Sequence, residues 1–200
     1  VANYDKYSSM LSVGLGAQFS SNALQLNNGN GTFSNIGALS NMAYTDWSWS
    51  TLLADLDNDG WNDALITNGY VRDVNNSDYL RYTMDSLQKE LRQGRISLLD
   101  WITAIPSVKV RSFLFRNEGD LTFSDRSAEW NAGPAAFSNG AAYADLDNDG
   151  FLDLVYNNIN DPATILRNTG AAQVGTDHIC IALDAGKGRT AIGAKVVLSL

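Results

Sequence analysis

The sequence predicts an all-β fold built from repeated, short-stranded sheets. Three observations carry that expectation. An aspartate-rich segment occurs twice, as Asp55-Leu56-Asp57-Asn58-Asp59-Gly60 and Asp145-Leu146-Asp147-Asn148-Asp149-Gly150, at an offset of 90 residues. Short runs of apolar or small residues flank both copies, and glycine is plentiful at 17 residues while proline is scarce at 3. Turns therefore fall to Gly, Asn and Asp, which suits short strands joined by tight loops.

The repeat extends well beyond the hexapeptide. The same offset carries Asn27 to Asn117, Gly29 to Gly119, Thr32-Phe33 to Thr122-Phe123, Ser48 to Ser138, Ala54 to Ala144 and Asp63 to Asp153. Such spread marks a duplicated structural unit. Within the unit, Thr51–Ala54 and Ala64–Thr67 read as strands on either side of the first loop, and Ala141–Ala144 and Leu152–Tyr156 as their equivalents. Leu114-Phe115-Arg116-Asn117 and Thr122-Phe123-Ser124-Asp125 add two strands around a glycine turn, and Ile165-Leu166-Arg167-Asn168 repeats the first of them. Four short strands per unit make the blade of a β-propeller. Residues 24–35 are expected to give outer strands of one blade, 48–126 a full blade, and 138–168 three strands of the next.

The first full blade is interrupted. Asp63 lies 54 residues before Asn117, whereas Asp153 lies 15 before Asn168, so 39 residues are inserted, over about 70–111. Leu80, Met84, Leu87 and Leu91 fall on one stripe of a 3.6-residue helix, and Gly94 stands where a C-terminal cap would be. Ser97-x-x-Asp100 reads as a capping box before Trp101, Ile102 and Ile105, and Pro106 ends that second helix. The stripe either packs on the sheets or docks a partner.

The loops carry the chemistry. Asp55, Asp57, Asp59 and Asp63 occupy positions 1, 3, 5 and 9, and Asp145, Asp147, Asp149 and Asp153 repeat this spacing. Four carboxylates within nine residues repel one another, and a hard dication relieves that repulsion. All-oxygen ligation at alternate positions suits Ca²⁺, which accepts six to eight oxygens in flexible geometry. The backbone carbonyls of Trp61 and Phe151, at position 7, are expected to complete two Ca²⁺ sites. An EF-hand is excluded: position 12 is Ile66 or Tyr156 rather than Glu, and the flanks are strands. The metal ties two strands together or takes part directly in ligand binding, the first role being the one expected.

Asp-x-Asp-x-Asp-Gly-x-x-Asp between two strands, followed by Leu-Phe-Arg-Asn-x-Gly-x-x-Thr-Phe, resembles the FG-GAP/VCBS repeat that builds integrin-α-like propellers. The resemblance implies a seven-bladed ring of which residues 1–169 are part, with the remaining blades elsewhere in a parent chain. Asp177–Leu183, Gly186–Arg189 and Ile192–Val196 resemble the start of an ASPIC/UnbV domain, so 170–200 is expected to open a C-terminal β domain of the kind found in cartilage-acidic-protein-like chains. Thr45–Ser50 and Thr67–Val74 resemble the version found in Bacteroidetes-type bacteria. The family implies an exported, calcium-binding, non-enzymatic module at the extracellular or outer-membrane surface, with a protein or glycan partner. The chain starts at Val1 and closes within the alternating run Ala194–Leu198, so it is expected to be a piece of a longer protein.

Composition narrows the function classes. Asp and Glu number 22 against 14 Lys and Arg, a net charge of −8 that argues against a nucleic-acid partner. No apolar run reaches the roughly 18 residues of a membrane span. The single cysteine, Cys180, excludes an internal disulfide framework, and it shares a strand face with the single histidine, His178. Gly186–Thr190 lacks P-loop spacing and reads as a hairpin turn. Two classes remain: a Ca²⁺-stabilised binding or scaffold module, or a propeller-based polysaccharide lyase or hydrolase. A glycosidase needs two carboxylates at a set separation. Asp46, Asp73, Asp78 and Asp161 are uncommitted to the loops, but nothing in the sequence pairs them. The binding module is therefore the expected function.

Overall fold

The structure, a computed structural model, describes residues 4–15, 21–73, 79, 83–170, 181, 183–184, 186 and 193–197. It is mostly antiparallel sheet with few helices. The strands are β1 (Gln25–Asn27), β2 (Phe33–Asn35), β3 (Ser48–Ala54), β4 (Asp63–Asn68), β5 (Phe113–Asn117), β6 (Phe123–Asp125), β7 (Ser138–Ala144), β8 (Asp153–Asn158) and β9 (Asp161–Leu166). They form a two-stranded sheet β1-β2, a four-stranded sheet β3-β4-β5-β6 and a three-stranded sheet β7-β8-β9. All pairings are antiparallel.

The duplication is visible in register as well as in sequence. Ser48 pairs Asn68 and Ala54 pairs Asp63 in one hairpin; Ser138 pairs Asn158 and Ala144 pairs Asp153 in the other. Even the irregularity recurs, between Ser48 and Thr51 and again between Ser138 and Ala141. The outer turns are also copies. Asn27 Oδ1, Asn117 Oδ1 and Asn168 Oδ1 each accept from the backbone N–H of the glycine two residues on, at 2.8, 3.0 and 3.1 Å.

Strand β4 explains how the sheets stack. All six of its residues are buried, so both of its faces are covered. Ala64 and Ile66 point to one side, onto Met42, Phe115 and Phe123, with Leu24 packed against them. Leu65 points to the other, where it joins Ala54, Leu56, Leu114, Ala132, Leu154 and Tyr156. The period of two sends alternate side chains into two separate cores, and the second core holds the four-stranded sheet to the three-stranded one. Tyr156 sits at its centre and donates its hydroxyl proton to the Ala132 carbonyl.

Helices α2 (Met84–Arg92) and α3 (Leu98–Thr103) lie between β4 and β5. Ser97 caps α3: its Oγ accepts from Asp100 N–H at 3.1 Å, while Asp100 Oδ2 accepts from Ser97 N–H at 2.9 Å. Leu80, the first member of the helical stripe, lies outside the described residues. Helix α1 (Tyr4–Ser12) has no counterpart in the sequence expectation. Its segment offers only Met10 and Leu11 as aliphatic residues, too few to mark an apolar stripe. Strand β9 also differs in its bounds. It starts at Asp161, just after the tight turn at Asn160 (φ 61°), and stops before Arg167, which is turned toward the second aspartate loop. Pro162 is tolerated because β9 pairs only with β8 among the described residues. Most of 170–200, including His178 and Cys180, lies outside the described residues. Gly186 (φ 68°) there donates to Asp184 Oδ1 at 2.7 Å, a turn.

Candidate metal centre

Each aspartate loop is folded around its own first carboxylate. Asp55 Oδ1 accepts from Asp59 N–H at 3.1 Å and its Oδ2 from Gly60 N–H at 2.9 Å. Asp145 does the same with Asp149 and Gly150, at 3.1 and 3.0 Å. Asp59 Oδ1 then accepts from Trp61 N–H, and Asp149 Oδ1 from Phe151 N–H. This tight wrapping requires left-handed backbone at Asn58 (φ 54°) and Gly60 (φ 92°), and at Asn148 (φ 60°) and Gly150 (φ 89°), which Asn and Gly adopt at least cost. The result is convergence. Asp55, Asp57 and Asp59 each bring a carboxylate oxygen to within 4.8 Å of the others, and so do Asp145, Asp147 and Asp149. Each triplet has the donor set and spacing to hold a metal ion.

The ninth-position aspartates are placed differently. Asp63 and Asp153 are not members of the converging triplets. Both are buried at the start of a strand, 0% and 2% exposed. Asp63 Oδ2 accepts from Leu56 N–H at 3.0 Å and its Oδ1 from Asn117 N–H at 2.9 Å. Asp153 holds Leu146 N–H at 3.0 Å and Asn168 N–H at 2.7 Å. Asp63 thus ties its loop to β5, and Asp153 ties its loop to the segment just after β9. Burial pushes the Asp63 carboxyl up to about 6; its two backbone donors oppose the shift, and the charges of Asp57 and Asp59 add to it.

Position 7 contributes an aromatic lid to each outer turn. A Cβ on Gly119 would meet the Trp61 indole at 3.2 Å, and one on Gly170 would meet the Phe151 ring at 2.4 Å. The glycines of the two Asn-x-Gly turns are therefore the floor on which these rings lie.

Two arginines, not singled out by spacing, complete the electrostatics. Arg116 on β5 reaches back to the first loop, with Nε 2.7 Å from Asp57 Oδ2 and Nη2 2.7 Å from Asp59 Oδ2. Its Nη1 is braced by Glu118 at 3.1 Å. Arg167 repeats the contact on the second loop, with Nε 2.5 Å from Asp147 and Nη2 3.5 Å from Asp149. The carboxylates hold both guanidinium pKa values above the ordinary value, chiefly through the bonds to Asp57 and Asp147. The other Asp57 oxygen, Oδ1, is buried without a hydrogen-bond partner. A buried carboxylate oxygen left without a hydrogen-bond partner is one that a bound cation would satisfy.

The two loops also touch. Asn58 Nδ2 donates to the Gly150 carbonyl at 3.1 Å, and Asn168 Nδ2 to the Leu56 carbonyl at 2.6 Å. A cavity of about 470 Å³ opens beside them, lined in part by Asp57, Trp130, Phe151 and Arg167. The Arg and Asn roles have one sequence signal: the Leu-Phe-Arg-Asn and Ile-Leu-Arg-Asn elements each follow an aspartate loop. No helix among the described residues is long and apolar enough to cross a membrane.

A family model described as an FG-GAP-like repeat matches residues 7–66 and 98–156, more than half of the chain, and each match contains one aspartate loop. A search of curated proteins finds no match.

Proposed function

The chain belongs to the FG-GAP-like repeat family, and from that premise we propose that it is a calcium-binding segment of a β-propeller that serves as a binding or scaffold module. The partner is a protein or glycan at the extracellular or outer-membrane surface, and the module does not catalyse a reaction. FG-GAP repeats occur in extracellular binding modules, which supports the class of function and the location. The ring is seven-bladed, with the four-stranded sheet as one whole blade and the other two sheets as parts of its neighbours. Residues 170–200 as the start of an ASPIC/UnbV-like domain, and a Bacteroidetes-type source, rest on the motif resemblance of those segments.

The observation that carries the calcium reading is the convergence of three carboxylates in each loop, with Asp57 Oδ1 buried and unpartnered in the first. Asp55, Asp57, Asp59, the Trp61 carbonyl and Asp63 form one ligand set. Asp145, Asp147, Asp149, the Phe151 carbonyl and Asp153 form the other. Carboxylate oxygens have spare lone pairs beyond those used by backbone donors, so Asp63 and Asp153 serve the ion and the strand together. When bound, the ion offsets part of the loop's negative charge and fixes the β3–β4 or β7–β8 hairpin end, a structural task.

Calorimetric titration of the full chain with CaCl₂ tests this. Two bound ions are expected, and no binding at either loop overturns the reading. Incubation with a panel of polysaccharides tests the non-catalytic assignment. New reducing ends or unsaturated products would put a lyase or hydrolase in its place.

A further inference from the structure

Each aspartate loop already contains one cation, and it is covalently part of the chain. Arg116 spans Asp57 and Asp59 with two 2.7 Å contacts, and Arg167 spans Asp147 and Asp149 at the same positions of the second loop. The fork engages the Oδ2 atoms of positions 3 and 5 in both copies; Asp59 Oδ1 and Asp149 Oδ1 accept from backbone N–H groups, and Asp57 Oδ1 is buried and unpartnered. We propose that these arginines are built-in counter-cations that set, and lower, the affinity of each loop for a divalent ion. The inference rests on the calcium reading above.

The physical argument is Coulombic. A guanidinium bonded to two ligand carboxylates stands within a few ångströms of any ion that the other oxygens hold. Like charges at that range repel strongly unless water screens them. The same guanidinium relieves the repulsion among the aspartates when no ion is bound, so it stabilises the state that competes with binding. Both effects weaken uptake of the dication. They also keep the carboxylates in place, so exchange proceeds without the loop coming apart.

The two copies are not equal. The Arg116 side chain is 32% exposed and is braced by Glu118, which is itself held by Ser124 and Arg126. The Arg167 side chain is 65% exposed, and the residue matching Glu118 is Thr169, which offers no carboxylate. Solvent screens the second arginine more and leaves it freer to swing away. Arg116 is therefore the stronger attenuator.

The test is calorimetric titration with CaCl₂ of the full chain and of Arg116→Gln and Arg167→Gln. Arg116→Gln is expected to tighten one site by roughly tenfold, and Arg167→Gln to tighten the other by about two- to threefold, as screened charge removal gives. Arg167 is largely exposed, so its variant supplies a reading even if Arg116→Gln does not fold. Equal or weaker binding in the variants, with calcium binding by the wild type intact, overturns the inference and leaves the calcium reading standing. Binding by Arg116→Gln where the wild type binds none supports the attenuation and overturns the reading for the native chain. No binding by any of the three overturns both.

Discussion

Asp63 makes the stability of this protein depend on pH with a sign that calcium should reverse. Its carboxyl is fully buried and its pKa is raised from 3.8 to about 6 by desolvation, despite two backbone donors. A raised carboxyl favours the protonated form in the folded state, so its contribution is present at low pH and is lost as pH rises through about 6. At about 1.4 kcal/mol per unit, keeping Asp63 ionised at neutral pH costs the fold about 3 kcal/mol. Lowering the pH from 7.5 to 5 in chelator recovers about 1.4 kcal/mol of this, which for a chain of this size is about 3–6 °C in Tm. Asp100 and Asp120 do not interfere. Bonds from Ser97 and Thr122 hold their carboxyls below the usual range, so they lose charge at more acid pH. If the loops bind calcium as proposed, the slope should invert in millimolar CaCl₂, because ligands must shed protons to bind the ion and acid expels it. Thermal melts followed by circular dichroism, with EGTA and with CaCl₂, check both arms, and Asp63→Asn should flatten the chelator arm. A chelator Tm that falls between pH 7.5 and 5, or slopes that agree in the two media, would refute the reasoning.

Other outcomes follow from the packing. Gly69 has φ 126°, and a Cβ there meets the Ala136 carbonyl oxygen and Phe137 Cα, both at 2.8 Å. Gly69→Ala should therefore cost roughly 3 kcal/mol or more, since backbone cannot step aside. Gly60→Ala, at φ 92° in open space, should cost only about 1 kcal/mol, and urea titrations will separate the two. Asn58→Gly keeps the left-handed turn but removes the bond to Gly150, so it should cost about 1 kcal/mol. Asn148→Gly has no such bond to lose among the described residues and should be near neutral in the same denaturation assay. Tyr156→Phe leaves the buried Ala132 carbonyl without its donor and should lower stability by about 1–3 kcal/mol in urea.

What could be read from the sequence, and what could not, divides along the chain distance of the interaction. The aspartate loops were legible because their determinants are local. Asp55 binds the N–H groups of Asp59 and Gly60, four and five residues away, so the spacing itself encodes the fold of the loop. The hairpins were legible for the same reason, since Ala54 and Asp63 pair across one loop. The helix α3 could be read from Ser97 and Asp100, three residues apart. The partners of those loops were not legible. Arg116 lies 59 residues from Asp57, and Asn58 lies 92 from Gly150. No periodicity links such positions: the pairing of β5 with β4 brings Arg116 to its loop, and the stacking of one sheet on the next brings Asn58 to Gly150. Asp63 shows both regimes in one side chain. Its bond to Leu56 is local, seven residues away, while its bond to Asn117 spans 54 residues and the whole helical insertion. Its place in the motif suggested a ligand; its buried position at the strand start shows a carboxylate that also holds two strands together. Any ion that takes an Asp63 oxygen is thereby coupled to the β4–β5 pairing. Calcium bound at the loop would then stabilise contacts made far along the chain, on the other side of the insertion.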